Sequence, residues 1–205
     1  MLAVWFGSLP AWMPQYRERV AAQEIDWLFF HDLAEFKRRV KKVIGINCPI
    51  VEGGGKIHDF RAAFGALFKK ELRGYDWWGH TDMDCVYGRL DRFYGPKQLD
   101  ELDIMSDHID YICGPWTLYR NTPEIANIFR EHPDALDILE LPESTGWVEK
   151  EFTQLLDASG LRVRYERQHS FSDPQFLSLQ RGRLTHFHRE VPFHHFRYTK
   201  EWPLS

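Results

Sequence analysis

Cysteine is scarce in this chain: Cys48, Cys85 and Cys113 are the only three among 205 residues, widely spaced and without a Cys-x-x-Cys pair. That excludes a disulfide framework and a zinc ribbon, and it fits a reducing compartment. Long apolar runs are also missing, so no stretch approaches a membrane span. The apolar start, Met1 to Gly7, is too short for a secretory signal and lacks a charged leader. Positive charge is not in excess: 26 Lys and Arg stand against 30 Asp and Glu, a net −4, which excludes a basic stripe for a nucleic-acid backbone. The densest basic run, Lys37-Arg38-Arg39-Val40-Lys41-Lys42, falls at a predicted helix end, where cations suit the dipole. Gly53-Gly54-Gly55 is not followed by the Gly-Lys-Ser/Thr of a P-loop. Gly-x-Ser-x-Gly, His-Glu-x-x-His and the dinucleotide glycine fingerprint are absent too, which removes the commonest hydrolase, protease and dinucleotide-binding classes. The expectation is a cytoplasmic protein without a transmembrane segment and without a nucleic-acid partner, peripheral attachment to a membrane being the alternative location.

Aromatics are what the chain has in quantity, with eight Trp, eight Tyr and fifteen Phe. They suit a packed core first and sugar or base stacking second. At this length one continuous domain is expected over 1–205, without repeats or linkers. Strand and helix signals alternate through the first half. Strands are predicted over 2–7 and 25–32, with a poorer one over 44–51 that Pro49 interrupts. Helices are predicted over 10–23 and 33–43, and best of all over 56–72, where Ile57, Phe60, Phe64, Leu67, Phe68 and Leu72 make one apolar stripe. A strand over 75–79 follows. Later come short strands over 103–106 and 111–120, helices over 123–131 and 145–158, an edge strand over 161–166 and a hairpin about Gly182. The pattern predicts an α/β domain with a mostly parallel central sheet flanked by helices. In such open sheets, ligands sit at the carboxyl ends of the strands, where Asp32, His80, Asp82 and Asp84 fall.

Four constellations carry candidate chemistry. In His80-x-Asp82-x-Asp84, alternate residues of an extended segment project to one side, and paired carboxylates suit Mg²⁺ or Mn²⁺. The alternative is a loop in which the acids cap the next turn. Lys56, Asp59 and Arg61 follow the glycine loop and could face phosphates, although composition favours an ordinary helix start. Five histidines, His169, His186, His188, His194 and His195, crowd the last part; His186-x-His188 reads as a surface strand, while one ring of His194-His195 must face inward and could complete a metal site begun by Asp84. Glu149 and Glu151, with Asp157, are candidate general bases, each more readily explained as part of a solvated helix face.

The run Lys56-Ile57-His58-Asp59-Phe60-Arg61-Ala62-Ala63-Phe64-Gly65, then Gly74-Tyr75-Asp76-Trp77-Trp78-Gly79-His80-Thr81-Asp82-Met83-Asp84, resembles a GT-A-type, DxD-containing glycosyltransferase-like family associated with bacterial and viral polysaccharide synthesis. Gly114-Pro115-Trp116-Thr117-Leu118-Tyr119-Arg120-Asn121 and Phe193-His194-His195-Phe196 are similar to its later segments. The resemblance implies a single GT-A-like domain, with a nucleotide-binding half over about 1–90 and an acceptor half over about 91–205. It implies a metal-dependent glycosyltransferase that moves a sugar from a nucleotide-diphosphate donor, by default a UDP-sugar, to a glycan or other hydroxyl acceptor. Under it, Asp82, Asp84, His195 and its rival His194 would hold Mn²⁺ or Mg²⁺, with His80 reduced to a neighbour. Phe6, Asp32, Lys56, Asp59, Arg61, Asp82 and Asn121 would face the donor, and Asp84 with Glu149 or Glu151 would serve catalysis. A metal-dependent hydrolase built on the His/Asp cluster and a non-catalytic carbohydrate-binding module are the competing readings.

Overall fold

The computed structural model describes residues 1–4, 6, 25–171 and 176–196. The predicted helix over 10–23 lies outside them. A six-stranded sheet forms the centre, in the order β2-β1-β3-β6-β5-β7. Its strands are β1 (Leu2–Val4), β2 (Leu28–Phe30), β3 (Trp77–Thr81), β5 (Ile104–Ser106), β6 (Trp116–Arg120) and β7 (Val163–Tyr165). β1 pairs parallel with β2 and β3, and β5 with β7; β6 runs antiparallel to both β3 and β5. Five strands therefore point one way and β6 alone opposes them. The chain is a mixed α/β protein whose mostly parallel central sheet is flanked by helices, as its sequence pattern predicts. No helix among the described residues is long and apolar enough to cross a membrane.

The strand alternation sorts the aromatics. On β6, Trp116 and Leu118 face one side with Met83, Tyr87, Tyr94 and Phe193. Tyr119 faces the other, where it stacks on Trp78 at 4.3 Å and joins Phe36, Phe60, Phe64, Phe68 and Trp147. Helix α1 (Leu33–Val43) matches its predicted bounds. Asp32 caps it, Oδ1 accepting from the Glu35 amide at 2.8 Å, and Phe36 and Val40 form its buried stripe. Truncating a fully buried ring such as Phe36 to Ala costs about 3–5 kcal/mol.

Three local expectations are corrected. Residues 44–51 form no strand: Gly45, at φ +98°, turns the chain after α1, and Ile44, Ile46 and Ile50 fill the core without pairing. The segment 56–72 is not one α-helix. It is a 3-10 helix (Gly55–Ala63) followed by the short α2 (Phe64–Leu67). Lys56 and Asp59 sit three apart and bond to each other, and a three-residue turn eclipses such positions. His186 and His188 do not share a strand face, because His186 ends a strand and His188 lies at φ +65° in the following turn.

The next helices are α3 (Pro96–Leu99), α4 (Pro123–Asn127), α5 (Ala135–Glu140) and α6 (Glu151–Ala158). β7 takes the sheet edge as predicted. Two small sheets complete the described residues. β9 (Leu177–Gln180), β10 (Arg183–His186) and β11 (Arg189–Glu190) form a meander whose first turn, Arg181-Gly182, has both φ angles positive. β4 (Cys85–Tyr87) and β8 (Ser170–Phe171) flank β12 (Phe193–His195), which pairs antiparallel with β4 and parallel with β8.

Candidate metal centre

β3 ends at Thr81 and the chain turns through Asp82-Met83-Asp84 into β4. The turn is pinned from both sides. The Thr81 hydroxyl donates to Pro115 O at 2.7 Å and lies 2.6 Å from the Tyr87 hydroxyl, while Met83 is buried beneath. The two carboxylates are thereby left at the carboxyl edge of the sheet, with the Asp82 side chain 18 % and the Asp84 side chain 49 % exposed. β12 then brings in a residue from the far end of the chain. His195 pairs with Cys85, and the Phe196 amide donates to Asp84 O at 2.9 Å. His195 Nε2 comes to 3.4 Å from Asp84 Oδ1 and 3.8 Å from Asp82 Oδ2. Ligand atoms of Asp82, Asp84 and His195 all lie within 4.8 Å of one another. Neighbouring ligands of an octahedral ion are roughly 3 Å apart when each lies ~2.1 Å from it, so small side-chain adjustments suffice to hold one. Burial works against ionisation of the Asp84 carboxyl, but the His195 hydrogen bond and charge prevail and hold it below the usual range.

Arg61 closes the inner side. The 3-10 helix delivers its guanidinium, on a side chain only 10 % exposed, onto Asp82 Oδ1 as an ion pair. Gly114 forms the wall behind: a Cβ there would collide with Arg61 Nη1 and lie 3.7 Å from Asp82 Oδ2. His58 lies exposed nearby, where desolvation by the surrounding protein together with the Arg61 charge keeps its imidazole below its ordinary pKa.

The other expected residues fall into distinct places. Lys56 and Asp59 are bonded within the protein itself. Lys56 Nζ donates to Asp59 Oδ2 at 3.0 Å and to Ile138 O at 2.6 Å, and the Asp59 carboxylate also accepts from the Thr145 and Gly146 amides and from the Ser144 and Thr145 hydroxyls. With both side chains buried and satisfied, the pair is a structural clamp between the 3-10 helix and the segment 144–146. Asn121 is at the wrong end of the sheet: β6 is antiparallel, so its last residues lie beside the start of β3. The Asn121 amide ties Leu72 O and Tyr75 O, each at 2.7 Å. Phe6 is buried against Phe36 at 5.1 Å and is core. Asp32 lies exposed beyond β2, on the same edge as Asp82, with one oxygen engaged as the α1 cap. Glu149 is exposed and Glu151 half-buried at the start of α6, and neither belongs to the Asp82–Asp84–His195 group.

His80 is not a ligand. It alternates with Trp78 on the face of β3 toward Phe64 and Tyr119, fully buried, with Nε2 3.2 Å from Cys113 O; burial, with Arg61 adding to it, lowers its pKa to about 3. His194, the rival of His195, occupies the opposite face of β12: Nδ1 is 2.9 Å from Ser170 Oγ, its ring meets His186 at 5.4 Å, and burial lowers its pKa to about 4. Sequence reasoning missed Asp107, although it stands at the carboxyl end of β5 just as Asp82 does at the end of β3. Its buried carboxylate accepts from Tyr94, from the Gln168 amide at 2.7 Å and lies 2.9 Å from His169 Nδ1. It thereby anchors the extended segment that leads into β8, and through β8 the strand that carries His195.

Fold and site together define a mixed α/β domain with a carboxylate–imidazole cluster at the carboxyl edge of its sheet. A profile of a family of unknown function, DUF6625, matches residues 1–196, and the chain belongs to that family. No curated protein and no solved structure matches it.

Proposed function

We propose that the protein is a metal-dependent glycosyltransferase of GT-A type, which moves a sugar from a nucleotide-diphosphate donor to a hydroxyl acceptor. The observation that carries the reading is the meeting of His195 with the Asp82-x-Asp84 turn at the carboxyl edge of a largely parallel sheet. The resemblance of the segments around Lys56, Trp77 and Trp116 adds to it. Two carboxylates and one imidazole suit Mn²⁺, or Mg²⁺ with more retained water, better than a soft-ligand metal. Such an ion would neutralise charge developing on the leaving diphosphate. The chain's own part is positional: the pinned turn and β12 hold three ligand atoms, and Arg61 presents a fixed positive charge beside them. In this reading Lys56, Asp59 and Asn121 serve the scaffold, since their side chains are bonded within the protein, and Asp32 is left to a ribose at the same edge.

Calorimetry with Mn²⁺ and a panel of nucleotide sugars tests this. Wild-type protein should bind a UDP-sugar only with Mn²⁺ present, and Asp84→Ala should lose that binding while keeping its melting temperature. Unchanged binding in Asp84→Ala would overturn the assignment. Stoichiometric, tightly held zinc would favour a hydrolase, and metal-independent glycan binding without turnover a sugar-binding module.

A further inference from the structure

Lys56–Asp59 and Arg61–Asp82 are both ion pairs made by the same 3-10 helix, but only the second consumes an atom of a candidate ligand. Asp82 divides its oxygens, with Oδ1 on the Arg61 guanidinium and Oδ2 facing His195. Gly114 is what lets the guanidinium lie there, since any Cβ would push it off. Counting the guanidinium and the two carboxylates, one positive and two negative charges leave the Arg61–Asp82–Asp84 set one unit negative, and a divalent cation would turn it one unit positive. A site so balanced attracts a cation weakly by itself and accepts an anion readily once the cation is in place.

We propose that Arg61 makes cation binding at Asp82, Asp84 and His195 conditional on a diphosphate-class anion: it holds Asp82 in the empty site and transfers its guanidinium to the anion when metal and anion arrive together. This rests on the metal-dependent reading above and adds a coupling between its two ligands. Guanidinium bonds phosphate oxygens in the same forked manner as carboxylate, so the exchange costs little in geometry. Releasing Asp82 frees a second oxygen for the cation. The coupling is reciprocal by thermodynamic necessity, each ligand strengthening the other by the same factor.

The experiment is a Mn²⁺ titration of the full chain followed by electron paramagnetic resonance. It is run with and without UDP and corrected by a protein-free Mn²⁺–UDP titration. Wild-type protein should bind Mn²⁺ weakly alone and at least about tenfold more tightly with UDP, within the usual span of such couplings. Arg61→Met should bind Mn²⁺ alone about five- to tenfold more tightly than wild type and lose most of the UDP enhancement. Gly114→Ala keeps the charge but crowds the guanidinium off Asp82, and should shift Mn²⁺-alone affinity in the same direction; it serves if Arg61→Met fails to fold. Unchanged or weaker Mn²⁺-alone affinity in a folded variant, with the UDP enhancement intact, overturns the coupling while leaving the metal site standing. Wild-type protein that binds no Mn²⁺ in an Asp84-dependent way overturns both.

Discussion

The two ion pairs of the 3-10 helix differ in everything except their chemistry. Lys56–Asp59 is sealed: the lysine also meets Ile138 O, and the carboxylate collects donors from Ser144, Thr145 and Gly146. Arg61–Asp82 lies two residues further along at the sheet edge, and the oxygen not bonded to arginine faces other ligand atoms instead of backbone amides. A buried charge whose every lone pair is answered is a fastener. A charge answered on one side only, at an edge that solvent reaches, is held ready for something else. Residue type does not separate the two roles, and surroundings do.

The largest effect that sharpens this contrast is on stability. Asp59→Ala strands a buried ammonium and several amides, and should lower unfolding free energy by about 3–5 kcal/mol in urea denaturation. A loss for Asp82→Ala as large as that would erase the distinction. Next comes pH. His80 is neutral in the folded chain, with its pKa lowered to about 3, and it protonates near 6.5 when unfolded. Below pH 6.5 the unfolded state therefore binds more protons, so the stability present above that pH is lost as pH falls toward 3, at about 1.4 kcal/mol per unit. His194, lowered to about 4, acts in the same direction. Thermal melts between pH 7 and 4.5 should drop steeply in wild type and less so in His80→Gln; equal slopes would show that this imidazole does not govern the acid response. Smaller again is Asn121→Ala, which removes two side-chain bonds to backbone carbonyls and should cost about 1–2 kcal/mol without altering Mn²⁺ affinity. A change in Mn²⁺ affinity there would tie the far end of β6 to the edge cluster. The smallest effects belong to Glu149→Gln and Glu151→Gln, each expected within about 0.5 kcal/mol by the same denaturation.

Much of this is legible in the sequence. The bounds of α1 follow from Asp32 as cap and from the spacing of Phe36 and Val40, which are local facts. The Asp82-x-Asp84 turn follows from an aromatic strand running into acids, and the direction of the sheet from the alternation of elements. What stayed hidden is non-local. The fate of Asp59 depends on residues 144–146, and that of Asn121 on β6 running against its neighbours. His195 and His194 are adjacent in sequence and of one type. Only the pairing of β12 with β4 and β8 decides which ring meets Asp84 and which meets Ser170.

The position of β12 has a consequence for synthesis. Asp82 and Asp84 are made long before His195, which comes from a strand that must still pair with both β4 and β8. On a ribosome, the sheet core around β1 and β3 can gather well before His195 emerges from the exit tunnel. A nascent chain, or one clipped ahead of β12, would display the acidic turn without His195 beside it, so capture of a cation would mark a chain in which β12 has paired.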